Sequence, residues 1–173
     1  MPLLVLDATS SLPPAQLAWL SDMANRALAA LSAGGEVRVR IVRDAEMAAA
    51  HQKFSGVEGT TDVLTFDLSP APPSRKPEVS DLGSGSDRLV YALDSDILVC
   101  RDEARRVAAQ GGYPIEKELL LYIIHGVLHC LGWDDHEDAE AAAMHELEDA
   151  VLELIGVGAV FGPGQEPPAA RPG

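Results

Sequence analysis

The sequence predicts a single α/β domain of the α+β-like kind, with a small mixed sheet of about four strands flanked by about five helices. Short apolar runs alternate with helical segments, and no long gap separates them. A length of 173 residues with 47 % hydrophobic residues suits one domain with a sizeable core. Some strand connections are too short for the crossovers of a wholly parallel sheet, so we expect a mixed one.

Four segments have the residue patterns of strands. Residues 3–7 (LLVLD) form the apolar run of a buried strand, and residues 36–42 (EVRVRIV) alternate charged and apolar side chains. Residues 62–68 (DVLTFDL) and the β-rich stretch 88–99 supply the other two. We expect these four segments to form the central sheet.

Five segments have helical spacing of apolar residues. In the first, Leu17, Leu20 and Leu28 recur on one face. Pro114 opens the fourth segment, at the position that a helix favours for proline. The predicted helices are 13–32, 44–54, 101–110, 114–131 and 138–155.

The chain divides by composition into one domain and a tail. We assign residues 1–156 to a single domain that carries the candidate site. Residues 69–87 are rich in proline, serine and glycine, which predicts a mobile loop within that domain. Residues 157–173 form a Gly/Pro-rich carboxy-terminal tail.

The overall charge restricts the classes of partner. A net charge of −14 argues against a protein that holds nucleic acid through a broad basic field, so we expect no DNA partner. No stretch is long and apolar enough to span a bilayer, and no basic leader of the secretory kind is present. The two cysteines, Cys100 and Cys130, make no disulfide framework. We expect a cytoplasmic protein without a membrane partner.

Local basic clusters leave two interpretations open. Arg38 and Arg40 share one face of a predicted strand, and Arg101 and Arg105 lie one helical turn apart. Such clusters either contact phosphate or pair with the abundant carboxylates. Pairing is the commoner outcome on protein surfaces.

The stretch HGVLHCLGWDDH, residues 125–136, contains three of the five histidines of the chain. His125 and His129 are four residues apart on an apolar helix, so their rings share one face about one turn apart. This spacing suits a divalent metal. Gly132 follows where the helix is expected to end, because glycine adopts the left-handed C-terminal cap without strain.

A return of the chain after Gly132 brings a third ligand over the same face. Asp134, Asp135 and His136 are all in reach of such a return. Three protein ligands with one open position is the usual arrangement of catalytic zinc. The sequence therefore predicts a metal site on one helix and the loop after it.

Gly126 limits the chemistry of this site. In zinc peptidases of the HExxH type, a glutamate at this position acts as general base on the metal-bound water. Glycine offers no base, which disfavours a metallopeptidase. Cys130 lies about 100° around the helix from His129 and is a poor fourth ligand, which disfavours a structural zinc site.

The histidine stretch resembles the motif of the YbeY family of metal-dependent endoribonucleases, in which H-G-x-L-H-x-x-G precedes an aromatic residue, an aspartate and a third histidine. Two further segments are similar to that family: GTTDVLTF at residues 59–66, and LDSDILVCRDEARRVAAQGGYP at residues 93–114. The matches occur in the family's order and span roughly residues 36–156.

The resemblance implies a single-strand-specific endoribonuclease that acts in the maturation of the 3′ end of small-subunit rRNA and in ribosome quality control. The implied partners are single-stranded rRNA and the ribosome or its small subunit with its proteins. One Zn²⁺ per chain is implied, with His125, His129 and His136 as ligands. The predicted catalytic residues are His125, Asp134 and Asp135, the aspartates as candidates for proton transfer.

Two departures from the family pattern keep alternatives open. The family has five residues between its second and third histidines, whereas six separate His129 from His136. Alignment without a gap therefore places Asp135, itself a sound zinc ligand, at the third position. Ser55 stands where many members carry an arginine thought to contact phosphate. The alternatives are a zinc hydrolase of another class, such as a metallopeptidase, and a non-catalytic ribosome-associated zinc protein.

Overall fold

The fold comes from a computed structural model that describes residues 2–83 and 91–161. The sheet consists of β1 (Leu3–Asp7), β2 (Ala33–Val42), β3 (Val63–Asp67) and β4 (Tyr91–Cys100). The helices are α1 (Pro14–Ala30), α2 (Asp44–Ser55), α3 (Arg101–Gly111), α4 (Ile115–Cys130) and α5 (Asp138–Leu154). These four strands and five helices confirm the predicted fold class.

The sheet is mixed, as the short connections predict. Its strand order is β1-β2-β4-β3. The β1–β2 and β2–β4 pairs are parallel, and β3 runs antiparallel to β4. The edge strand β3 therefore lies beside the carboxyl half of β4, where Val63 pairs with Val99 and Thr65 with Ile97.

Strand β2 begins earlier than its alternating pattern predicts. A glycine pair after a helical segment usually indicates where the helix ends, yet Gly34 and Gly35 both lie within the strand, which starts at Ala33. Gly35 has a φ of 111°, and a Cβ atom there would lie 2.1 Å from the carbonyl oxygen of Leu93. Glycine at residue 35 is thus required by the close approach of β4, and not only by the end of α1.

The predicted loop 69–87 and tail 157–173 are described only in part. Residues 84–87 and 162–173 lie outside the described residues, as do residues 88–90 of the predicted fourth strand. Within the described part of the loop, Val79–Asp81 form one short 3₁₀ helix. The mobility of this loop stays a prediction.

Helix α4 is the most deeply buried helix of the described chain. It contacts α1, α3, α5, β3 and β4, and from Glu118 to Val127 every residue is buried. A smaller apolar cluster of Val42, Met47 and Cys100 lies under α2. No helix among the described residues combines the length and apolar character needed to cross a bilayer. The core therefore fixes α4 against the sheet, and with it the two histidines near its end.

Candidate metal centre

The two histidines of α4 converge as their spacing predicts. His125 is 3 % exposed, and His129, one turn later, is half-buried. Their Nε2 atoms lie 2.9 Å apart, and the ring planes are nearly perpendicular. Both Nε2 atoms therefore face one small volume at the end of the helix.

The Nδ1 atoms of both rings have hydrogen-bond acceptors. His125 Nδ1 lies 2.5 Å from Oε1 of Glu148 on α5, and His129 Nδ1 lies 3.0 Å from the backbone carbonyl of Trp133. A carbonyl oxygen can only accept, so Nδ1 of His129 donates, and a carboxylate gives His125 the same tautomer. Each Nε2 is then left with the lone pair that binds a metal.

Asp135 completes a group of three potential ligands. Its Oδ2 lies 3.4 Å from Nε2 of His125, and its Oδ1 lies 3.8 Å from Nε2 of His129. Tetrahedral zinc with bonds of about 2.0–2.1 Å holds its ligand atoms roughly 3.3 Å apart. The two nitrogens and the carboxylate thus lie close enough together to hold one divalent ion.

The protonation states also suit a metal. Burial lowers the pKa of His129, and the neighbouring His125 lowers it further, which favours the neutral imidazole. The nearby His125 imidazole lowers the pKa of Asp135 to about 2, against the opposing effect of burial, so this carboxylate is ionised. Neutral imidazole and ionised carboxylate are the forms that coordinate divalent ions.

His136 takes another position. Its side chain is 79 % exposed, and its Nδ1 contacts the Asp134 carboxylate, which raises the pKa of His136. Asp134 Oδ1 also accepts hydrogen bonds from the backbone nitrogens of Asp135 and His136, at 2.7 and 3.2 Å. Among the described residues, His136 groups with Asp134 and Asp135 at the solvent edge, whereas Asp135 also groups with the two helix histidines. The role of His136 as third ligand stays a prediction.

The return of the chain depends on the end of α4. Gly132 has a φ of 95°, so the predicted left-handed cap is present. Its backbone nitrogen donates to the carbonyl of His129, and that of Trp133 donates to the carbonyl of Leu128. The Trp133 indole donates to the carbonyl of Pro77 at 2.9 Å. This bond holds the return loop, residues 131–137, against the described part of the predicted loop 69–87.

Gly126 faces the sheet and not the converging ligands. A Cβ atom at this residue would lie 3.0 Å from Cγ2 of Ile97 and 3.1 Å from Cγ2 of Thr65. A longer side chain would have to enter the closely packed boundary between α4 and the sheet. A glutamate at this position, which carries the general base in HExxH peptidases, is therefore disfavoured by the packing of this fold.

Sequence analysis missed Glu148. This residue is fully buried on α5, between Met144 and Leu152, which lie one turn away on each side and are also buried. A carboxylate on the apolar face of a helix was the available signal, but helix acids are usually exposed. Its partner His125 is 23 residues away in the chain, and no local pattern indicates that contact.

Several arginines that the sequence offers as phosphate contacts form ion pairs. Arg38 binds Asp94 and Asp96 at 2.5 Å each, and Arg40 binds Glu46 at 3.1 Å. These contacts support the carboxylate-pairing interpretation for Arg38 and Arg40. The Cys130 thiol is also a poor ligand, because burial raises its pKa and zinc binds the thiolate.

Comparison with known proteins identifies the family. The model of the family Endoribonuclease YbeY matches residues 9–156. A Mycobacterium ulcerans protein named Endoribonuclease YbeY is 34 % identical over 120 residues, covering 69 % of this chain and 64 % of that protein. A Desulfitobacterium hafniense protein of the same name is 35 % identical over 130 residues, covering 75 % and 78 % of the two chains.

A solved structure agrees with the fold. The solution structure of a Thermotoga maritima protein aligns with this chain with a TM-score of 0.52 at 23 % sequence identity. The alignment covers 88 % of this chain and 90 % of that one. At this identity the likeness concerns the fold alone. The family model and the sequence relatives carry the assignment: the chain belongs to the YbeY family.

Proposed function

We propose that the protein is a zinc-dependent endoribonuclease that cleaves single-stranded RNA. The observation that carries this proposal is the convergence of His125 Nε2, His129 Nε2 and the Asp135 carboxylate, all within 4.8 Å of one another. Three protein ligands are the number that a catalytic zinc site uses, with the fourth position left to water or substrate. Membership in a family named for endoribonuclease activity supports the same chemistry.

The proposed ligands are His125, His129 and Asp135. The distances of Asp135 to both imidazoles support it over His136, as does the alignment without a gap. A site with two histidines and one carboxylate is well suited to hydrolytic zinc chemistry. His136 then lies beside Asp134 at the solvent edge of the site.

Zinc held by His125, His129 and Asp135 would act as a Lewis acid toward a phosphate oxygen of the RNA and would activate water for attack. The residues of the chain have separate tasks. His125 and His129 hold their lone pairs toward the ion through their Nδ1 hydrogen bonds. Asp134, ionised and paired with His136, is the exposed group that moves the proton between water and the leaving oxygen.

The proposed substrate is ribosomal RNA, at the 3′ end of the small-subunit molecule, with a further role in ribosome quality control. The proposed setting is the cytoplasm, with the small ribosomal subunit and its proteins as partners. The names of the relatives support an RNA substrate, the sequence resemblance described above implies ribosomal RNA and the ribosome, and the charge of the chain favours a partner. At −14, and with Arg38 and Arg40 occupied by acids, the protein gains little from general attraction to RNA. A ribosomal partner would supply the missing affinity.

One experiment tests the proposal. Zinc-loaded protein is incubated with single-stranded and duplex RNA from the small-subunit 3′ end, and with casein. We expect cleavage of the single strand only, abolished in His129→Ala. His145→Ala is the matched control, since His145 stacks on Phe161 and not on a ligand. Cleavage of casein would support a peptidase instead, and a stoichiometrically loaded protein that cleaves nothing would support a binding role.

A further inference from the structure

Glu148 is a buried carboxylate that the proposed catalytic steps leave without a task. It is 0 % exposed, and its neighbours on α5 are the buried apolar residues Leu147, Val151 and Leu152. Its Oε1 lies 2.5 Å from Nδ1 of His125. Its Oε2 is buried and has no hydrogen-bond partner among the described residues. Burial of an acid in this way costs free energy, so the position calls for a compensating role.

Glu118 provides a comparison within the same core. It is also 0 % exposed, and its Oε2 lies 2.5 Å from the hydroxyl of Tyr113. Glu118 thus fastens the start of α4 to the residues before it. Glu148 instead contacts Nδ1 of His125, the ring whose Nε2 faces His129 and Asp135. Two equally buried acids therefore bond to groups of different kinds.

We propose that Glu148 is a positioning residue for the metal site. By accepting a hydrogen bond from Nδ1 of His125, it fixes the tautomer in which Nε2 carries the lone pair. Because it approaches from α5, it also fixes the ring orientation relative to Asp135 and His129. A carboxylate behind a metal-binding imidazole further raises the basicity of that imidazole. This inference rests on the metal site of the proposed function and is independent of the RNA substrate.

The position of Glu148 explains how α5 contributes to the site. The return loop that carries Asp135 leads directly into α5, which begins at Asp138. The contact between Glu148 and His125 therefore fastens α5, the helix that follows the return loop, to α4. Loss of the contact is expected to loosen the angle between the loop ligand and the helix ligands, without a gap in the core if the replacement has the same volume.

The test measures zinc binding directly. Glu148→Gln keeps the volume and a neutral acceptor, and Glu148→Leu keeps the bulk and removes the acceptor. We expect zinc affinity, measured by competition with a chromogenic chelator, to fall about 10-fold to 100-fold in Glu148→Leu and less in Glu148→Gln. Glu118→Gln is the matched control, with affinity within about 2-fold of the unchanged protein.

A second measurement separates positioning from folding. Nitrogen-15 NMR of the imidazoles in the zinc-free protein is expected to show His125 protonated at Nδ1, and to show mixed tautomers in Glu148→Leu. If Glu148→Leu does not fold, Glu148→Gln at equal volume gives the zinc affinity. Zinc affinity and tautomer unchanged in a folded Glu148→Leu, or zinc affinity unchanged in Glu148→Gln where Glu148→Leu does not fold, would overturn the inference, as would an unchanged protein that does not bind zinc. Zinc binding that responds to Glu148, without RNA cleavage, would overturn only the proposed function.

Discussion

The candidate metal centre has two halves that are held by different forces. The helix half, His125 and His129, lies on α4, where packing against the sheet and three other helices leaves no freedom. The loop half, Asp134–His136, follows Gly132 and is exposed or half-buried. The local backbone of that half is held by hydrogen bonds to Asp134 and by the anchoring of Trp133.

The two halves differ in what sets the positions of their ligand atoms. In the helix half, the four-residue spacing and the buried position set the ligand geometry before any metal arrives. In the loop half, the position of the Asp135 carboxylate relative to the imidazoles depends on a few exposed hydrogen bonds. Each of these bonds contributes little net free energy. We therefore expect substitutions in the two halves to differ in size and in kind.

The largest effect is expected for His129→Ala. This change removes one helix ligand, and His125 and Asp135 remain as a pair that holds zinc weakly. We expect zinc affinity to fall by more than about 100-fold, beyond the range for residues that only support ligands, and RNA cleavage to be lost. Chelator competition and a cleavage assay measure both. Retention of zinc by this variant would mean that the loop half alone forms the site.

The next effect concerns the packing of the helix half. Gly126→Glu forces a charged side chain against Ile97 and Thr65, and we expect a loss of unfolding free energy of about 3 kcal/mol. Urea denaturation measures this loss. The matched change in the loop half, Asp134→Asn, is expected to leave the melting temperature almost unchanged. Equal stability of Gly126→Glu and the unchanged protein would show that α4 can move away from the sheet.

The third ligand is decided by a pair of variants in the loop half. We expect Asp135→Ala to lower zinc affinity by about 10-fold to 100-fold, because it removes the carboxylate that lies near the Nε2 atoms of both imidazoles. We expect His136→Ala to change the affinity by less than about 3-fold, because its imidazole bonds to Asp134 at the surface. The opposite order of effects, measured in the same chelator assay, would assign the third ligand to His136.

The smallest effect is a pH dependence of zinc affinity, which distinguishes Asp135 from His136 as the third ligand. Protons compete with zinc only where a ligand titrates. Burial lowers the pKa of His129 below 6.5, and the pKa of Asp135 is about 2, so neither should weaken binding as the pH falls from about 8 to 6.5. Asp134 raises the pKa of His136 above 6.5. If His136 were a ligand, zinc affinity above pH 6.5 would decline by a few-fold more in the unchanged protein than in His136→Ala, since His125 contributes equally to both.

Much of the architecture follows from local sequence patterns. The apolar alternation in residues 36–42 and the helical spacing around His125 indicate their elements because side-chain periodicity reflects which face is buried. The start of β2 did not follow, since Gly35 is required by a strand far away in the chain. For the same reason the helix half of the site was predictable, whereas the contact of Glu148 was not.

The anchoring of Trp133 has a practical consequence. Its carbonyl accepts the hydrogen bond from Nδ1 of His129, its indole nitrogen donates to Pro77, and the Lys76 ammonium lies 4.8 Å from its ring centroid. The chain contains two tryptophans, and the other, Trp19, lies on α1. A Trp19→Phe protein would therefore carry a single tryptophan, whose backbone carbonyl is hydrogen-bonded to a proposed zinc ligand, and its emission would report metal binding without any added label.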